Sequence, residues 1–213
     1  MSTLLHIDSS PLGEASISRN LSSEFVQRWK QAHPKGEVIT RDLTATQFAG
    51  IDAQWIGAVY SPPDLRTPVQ RELLALSDTL ISELERADEW VFGVPMHNFS
   101  VPTVFRLWLD QVVRAGKTFS HINGSPLGLL KNKRAHFMFA SGGVYDPGSP
   151  AESFDFVQPY LRAIFGFIGV TDVNFHRAGG AAAINSGKTD RQTFLQPHID
   201  SIRAQFQPAY QPA

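Results

Sequence analysis

The chain has 213 residues, of which 42% are hydrophobic and 18% charged, with 19 Lys plus Arg against 20 Asp plus Glu. That composition excludes disordered and collagen-like classes, and a net charge of −1 offers no general attraction to nucleic acid or acidic lipid. The absence of cysteine removes disulfide scaffolds, thiolate nucleophiles, iron–sulfur clusters and Cys-ligated zinc together.

The first residues, Met1 to Asp8, carry neither a basic region nor a long apolar core, so they do not read as a signal peptide. No window has the run of about 18 apolar residues that a membrane span requires. The expectation is a cytoplasmic protein with no membrane or nucleic-acid partner.

Leu4-Leu5-His6-Ile7 is a short apolar run that stops at the turn cluster Asp8 to Gly13, the pattern of a buried strand leading into a loop. From Ser16 the period changes: Ile17, Leu21, Phe25 and Trp29 recur every four residues, predicting a helix that ends near His33-Pro34. Glu37 to Thr40 reads as a second strand, and residues 43–66 as a loop-rich stretch marked by Ser61-Pro62-Pro63. At Thr67-Pro68-Val69-Gln70 a capping box opens a helix whose predicted stripe is Val69, Leu73, Leu76, Leu80 and Leu84.

Trp90 to Val94 is continuously apolar, as expected of a strand buried on both faces. After the loop Pro95 to Ser100 comes a predicted helix, Val101 to Arg114, apolar nearly all round. A surface helix needs one apolar stripe, so a second face here points to a subunit interface. Ala135 to Ala140 is the next strand and ends at Gly142-Gly143. Tyr160, Leu161, Ile164, Phe165 and Ile168 mark another helix, Val173 to Phe175 a last strand, and residues 189–206 a last, more polar helix.

Strands alternating with helices imply a mostly parallel sheet covered on both faces. Five strands in a chain of this length predict a single domain over residues 1–213. The expected fold is a flavodoxin-like three-layer α/β sandwich with a five-stranded parallel sheet of order 2-1-3-4-5. Ligands in such a sheet bind beyond the carboxyl ends of the strands at the switch point. The loops after the first, third and fourth strands should therefore line the crevice.

The first of these loops brings Ser9, Ser10, Ser16 and Ser18 to a helix N-terminus, where unpaired N–H groups and hydroxyls can take a phosphate without a lysine. Neither GxGxxG nor a Walker motif is present, against a Rossmann dinucleotide site or a P-loop. Met96-His97-Asn98-Phe99 stands where an aromatic ring would lie flat, and the Asn98 amide suits an imide edge. Ala140-Ser141-Gly142-Gly143 allows close backbone approach to a planar ligand. Each signal is weak alone, since Ser-rich caps and Gly-Gly turns are common. Jointly they are the parts of a flavin mononucleotide (FMN) site.

On these residues the chain resembles the FMN-dependent NADH azoreductases of the wider NAD(P)H:quinone oxidoreductase group. The resemblance is carried by Ser9-Ser10 with Ser16-x-Ser18, Pro95 to Phe99, Arg114-Ala115-Gly116-x-Thr118-Phe119, Gly142-Gly143, Pro159-Tyr160-Leu161 and Gly166 to Val173. It implies bound FMN, with Ser10 and Ser16-Ile17-Ser18 as phosphate loop. It also implies Met96 to Phe99 as the wall against the ring system, and Ala140 to Gly143 as its pyrimidine-side contact. A homodimer is implied as well, with a ping-pong cycle in which NADH reduces the flavin and a quinone or azo compound then takes two electrons. The protein needs no nucleophile or dedicated base for this, and the N–H groups of Gly142 and Gly143 are candidates to stabilise charge on the reduced ring. Phe99, Phe119, Tyr145 and Phe165 are the candidate aromatic wall of the acceptor pocket, although phenylalanine is mostly core.

Two positions depart from the family pattern. His97 stands where a tyrosine is usual and Ser141 where an arginine is common. The second change removes a fixed positive charge near the flavin or its substrate, implying a shifted flavin potential or acceptor preference.

Other chemistries fare worse. The seven histidines are scattered without metal-ligand spacing, and Thr118-Phe119-Ser120-His121 lacks the GxSxG elbow of a hydrolase. The rival from another class is a flavodoxin-like electron carrier with no substrate of its own, against which the near-neutral charge counts.

Overall fold

A computed structural model describes residues 2–206 of the chain. Met1 and residues 207–213, which the single-domain expectation includes, lie outside the described residues.

The sheet contains five parallel strands, β1 (Thr3–Asp8), β2 (Glu37–Asp42), β3 (Glu89–Pro95), β6 (Arg134–Ala140) and β7 (Asp172–Ala178), in the order β2-β1-β3-β6-β7. Counted without the separate antiparallel hairpin β4 (Phe119–Ile122) and β5 (Ser125–Gly128), this is the predicted 2-1-3-4-5. The hairpin adds to the expected elements, and its turn, Asn123-Gly124, has both residues at positive φ (52° and 80°), as a two-residue type I′ hairpin loop requires.

Successive residues of each central strand feed opposite faces, the period-two consequence of pleating. On one face Leu5, Ile7, Trp90, Phe92, Val94, Phe137 and Phe139 pack against α3 (Pro68–Arg86), α4 (Thr103–Val112) and α5 (Val157–Phe167). On the other, Leu4, Val91, Met138 and Ala140 meet α1 (Ile17–Ala32) and α7 (Arg191–Ala204).

The predicted stripe of α1 is buried as expected in Leu21, Phe25 and Trp29. That of α3 is met in Leu80 and Leu84, which are buried with Leu74, Ser77 and Ile81 beside them, while Leu76 packs partly buried against the core and Val69 is 62% exposed. Its capping box forms, with Thr67 Oγ1 accepting from Gln70 N–H and Gln70 Oε1 from Thr67 N–H. The loop-rich stretch 43–66 contains α2 (Ala53–Tyr60), started by the Asp52 carboxylate, which accepts from Trp55 N–H at 2.8 Å. Much of α4's all-round apolarity is used within the chain. Phe105, Trp108, Leu109 and Val112 are buried, leaving Val104, Leu107 and Val113 half-buried. Arg114 is also buried, and its guanidinium donates to Ser77 Oγ at 2.7 Å and pairs with Asp78, tying α3 to the end of α4.

Beneath α7, His176 Nε2 and His198 Nδ1 lie 3.2 Å apart. Burial, with His198 beside it, pushes the His176 imidazole down from 6.5 to about 4. As pH falls from 6.5 toward 4, the unfolded chain takes up a proton that the folded state refuses, so stability is lost across that window and not above it. Melting temperature should therefore drop more steeply over this range in the native protein than in His176→Asn. Equal slopes would contradict the assignment.

Candidate functional site

At the carboxyl end of the sheet, the loops after β1, β3 and β6 converge on a cleft of about 370 Å³. Its walls include Ser10, Ser16, Ile17 and Ser18, then Pro95, Met96 and His97, then Ala140, Ser141 and Gly142. Asn98, Phe99 and Gly143 adjoin it without lining it.

A buried polar network sets the shape of the first loop. Ser22 Oγ donates to Asp8 Oδ1 at 2.8 Å, and His6 Nε2 lies 3.2 Å from Asp8 Oδ2. Arg19 donates through Nε to Ser10 C=O at 2.8 Å and through Nη2 to Asp42 Oδ1 at 2.8 Å. Burial alone would raise the Asp42 carboxyl, but hydrogen bonds from Arg19 and Thr44 outweigh it and hold the group below its usual range. The charge of Arg19 is thus spent on Asp8 and Asp42. Ser9 belongs to this framework too, its hydroxyl donating to Gly93 C=O at 2.8 Å.

Ser16 caps α1, its Oγ accepting from Arg19 N–H at 3.3 Å and lying 3.1 Å from Ser18 Oγ. The N–H groups of Ile17 and Ser18, in the first turn, donate to no other described residue. Helix geometry leaves such groups for a ligand, and the positive end of the macrodipole favours an anion there.

The second loop is a tight reversal. His97 N–H donates to Ser100 C=O at 2.9 Å and Ser100 N–H to His97 C=O at 3.0 Å, with Asn98 and Phe99 at φ 49° and 64°. Two successive left-handed residues without glycine are costly for the backbone, and such conformations cluster at functional sites. Met96 N–H donates to Ala140 C=O at 2.7 Å, which fixes this loop against the third.

In the third loop, Ser141 Oγ donates to Gly143 C=O at 2.9 Å, and the carbonyls of Gly142 and Gly143 accept from Ala182 and Gly180 N–H. The N–H groups of Gly142 and Gly143 have no acceptor among the described residues. The ring of Tyr145 lies so close over Gly143 that an added Cβ would meet it at 2.9 Å.

The candidate aromatics separate into three places. Phe99 and Tyr145 meet edge to face at 6.1 Å, joined by Phe154, which stacks on Phe99 at 5.2 Å. Phe119 lies on the hairpin against Phe167, outside the cleft lining. Phe165 is fully buried in the core, edge-on to Phe92 and Phe137, so it is not available to a ligand. Its helical spacing is that of a core residue, and that reading prevails.

The segment after β7 completes the cleft and was not foreseen. Ala181, Ala182, Ile184, Asn185 and Arg191 line it, the short helix α6 (Ala182–Asn185) included. The sequence signal available was Gly179-Gly180 directly after β7. Arg177 of β7 steadies the neighbouring loop, donating to Tyr145 C=O and Asp146 and pairing with Asp155.

A family profile described as flavodoxin-like fold matches residues 2–205. An FMN-dependent NADH:quinone oxidoreductase of Acidobacterium capsulatum is 52% identical over 203 residues, 95% of this chain and 98% of that one. An FMN-dependent NADH:quinone oxidoreductase of Burkholderia lata is 49% identical, over 97% of this chain and all of its own (100%). Among solved structures, an FMN-dependent NADH-azoreductase from Bacillus anthracis in complex with FMN superposes with a TM-score of 0.85, over 97% of this chain and 98% of that one. At 23% identity the last is a likeness of fold. With these relatives matched over nearly their whole length and the family profile spanning the chain, the protein belongs to the flavodoxin-like family, alongside its FMN-dependent NADH:quinone oxidoreductases.

Proposed function

We propose that the protein is an FMN-dependent NADH:quinone oxidoreductase, active also on azo compounds, working as a homodimer in the cytoplasm. The observation that carries this reading is one cleft holding the N–H groups of Ile17 and Ser18 and of Gly142, unpaired among the described residues, and four buried serines, Ser10, Ser16, Ser18 and Ser141. That donor set suits a ligand with a phosphate at one end and ring carbonyls at the other, and the relatives at 49–52% identity are named for FMN. When bound, FMN supplies the redox chemistry, taking reducing equivalents from NADH and passing two electrons to the acceptor.

The chain's own tasks are binding, orientation and exclusion of water. Ser10, Ser16, Ile17 and Ser18 hold the phosphate. Met96, His97, Asn98 and Phe99 would form the ring wall, the Asn98 amide being suited to an imide edge. Ala140 and Ser141 carry the strand end into Gly142 and Gly143, whose N–H groups would donate to the pyrimidine side of a bound flavin and stabilise negative charge there. Phe99 and Tyr145, extended by Phe154, offer the acceptor an apolar shelf. The homodimer reading draws on the half-buried edge of α4 and on exposed Ile56, Tyr60, Leu65 and Val69.

The test is a visible spectrum of the purified protein after incubation with FMN and desalting, titrated with NADH without oxygen. A retained flavin band that NADH bleaches, and that a quinone restores, is the expected result. A band that NADH cannot bleach would mean an electron carrier instead, and no retained band would end the flavin reading.

A further inference from the structure

Arg191 stands apart from the other arginines. Nine of the described arginines have a carboxylate ion-pair partner: Arg19, Arg28, Arg41, Arg86, Arg106, Arg114, Arg134, Arg177 and Arg203. Of the remaining four, Arg66, Arg71 and Arg162 point elsewhere, and only Arg191 lines the cleft.

Among the described residues its guanidinium is held in place by neutral oxygens alone. Nη1 donates to Ala15 C=O at 2.8 Å, and Nη2 to Glu14 C=O at 3.2 Å and Asn20 Oδ1 at 2.9 Å. Ala15 directly precedes Ser16, the residue that caps α1, so a fixed positive charge sits beside the helix end whose N–H groups are unpaired. A guanidinium has five N–H donors. Three are engaged here, leaving Nε–H and one Nη1 proton. A half-buried cation anchored by three neutral acceptors keeps its charge for something else, and in this cleft the serine hydroxyls and helix N-terminus already call for an anion.

We infer that Arg191, reaching across from the start of α7, is a specificity-determining contact for the phosphate of the bound flavin. It would make the cleft select FMN over the same ring system without phosphate. This rests on the flavin reading above. It assigns Arg191 two roles that can be separated: closing the Gly13–Ala15 turn through its anchored protons, and charge recognition through the remaining ones. A purely structural arginine would affect every flavin alike. A phosphate contact affects only the phosphorylated one.

The experiment compares FMN and riboflavin binding to the full-length apoprotein, followed by quenching of flavin fluorescence, in the native protein, Arg191→Gln and Arg191→Lys. The native protein should bind FMN more tightly than riboflavin. Arg191→Gln should raise the Kd for FMN about tenfold to a hundredfold and leave that for riboflavin unchanged, with a shallower salt dependence for FMN. Arg191→Lys keeps the charge and guards against a glutamine variant that folds poorly; it should give an intermediate FMN affinity with riboflavin again unaffected. Equal weakening of both flavins in either variant, or no change in either, would overturn the inference. A native protein that binds neither flavin would instead overturn the flavin reading itself.

Discussion

Aspartate at position 18 should abolish tight FMN binding while leaving the apoprotein folded. Ser18 is fully buried at the second position of α1, its hydroxyl 3.1 Å from that of Ser16. A carboxylate there is favourable for the helix itself, because it meets the positive end of the dipole and the unpaired N–H groups. In the proposed site it would stand in the phosphate's place and repel it. Two unit charges about 4 Å apart interact by roughly 4 kcal/mol at an effective dielectric constant of about 20, close to a thousandfold in Kd. Ser18→Asn matches the size without the charge and should cost far less. FMN titration of the two variants, with a thermal melt of each apoprotein, makes the comparison. Equal losses would show that crowding, not charge, governs this end of the cleft.

Alanine at Gly93 should be the most damaging single-methyl change in the sheet. Gly93 pairs with Asp8 across β1 and β3, and a Cβ built on it falls 2.1 Å from Asp8 Oδ1, 3.0 Å from Ser22 Oγ and 3.2 Å from Ser18 C=O. None of these atoms is free to withdraw. The carboxylate is tied to Ser22, and the carbonyl belongs to the first turn of α1. Overpacking of this kind, together with a displaced buried carboxylate, costs about 3 kcal/mol or more, which lowers the melting temperature of a chain this size by roughly 6–12 °C. FMN affinity should fall as well, because the displaced atoms underlie the first loop of the cleft, the proposed phosphate site. Asp8→Ala removes the obstructing group, so it should cost less in the Gly93→Ala background than alone. Simple additivity of the two losses would rule out this contact as the cause.

The central strands were legible because a run such as Trp90 to Val94 is apolar over every residue, which only burial on both faces satisfies. The α1 and α3 starts were legible because their caps are local: Ser16, and Thr67 with Gln70. The hairpin over 119–128 went unread although Asn123-Gly124 carries the strongest short-range turn signal, since His121 and Pro126 mask any alternation beside it. Helix α2 is only eight residues long, too short for its period to stand out between Pro- and Gly-containing flanks.

The same division runs through the site. Ser10, Ser16, Ser18, Met96 and His97 line the cleft the sequence pointed them toward, because each loop carries its polar groups in a few consecutive residues. Phe165 was misplaced because a one-dimensional pattern cannot tell a buried ring from one facing a cleft.

By itself, the sequence determined the alternation of strands and helices, hence a parallel sheet with its ligand crevice at the switch point. It also marked the loops after β1, β3 and β6 that meet at the cleft, because caps, turns and apolar runs are short-range properties of the chain. It took folding to bring the segment after β7 onto the cleft and to seat Arg191 against Ala15 across 176 positions of sequence. Folding likewise decided that Arg19's charge is spent on aspartates while that of Arg191 is not. Which charge is neutralised and which is left for a ligand depends on partners brought together by folding, and no local pattern encodes that.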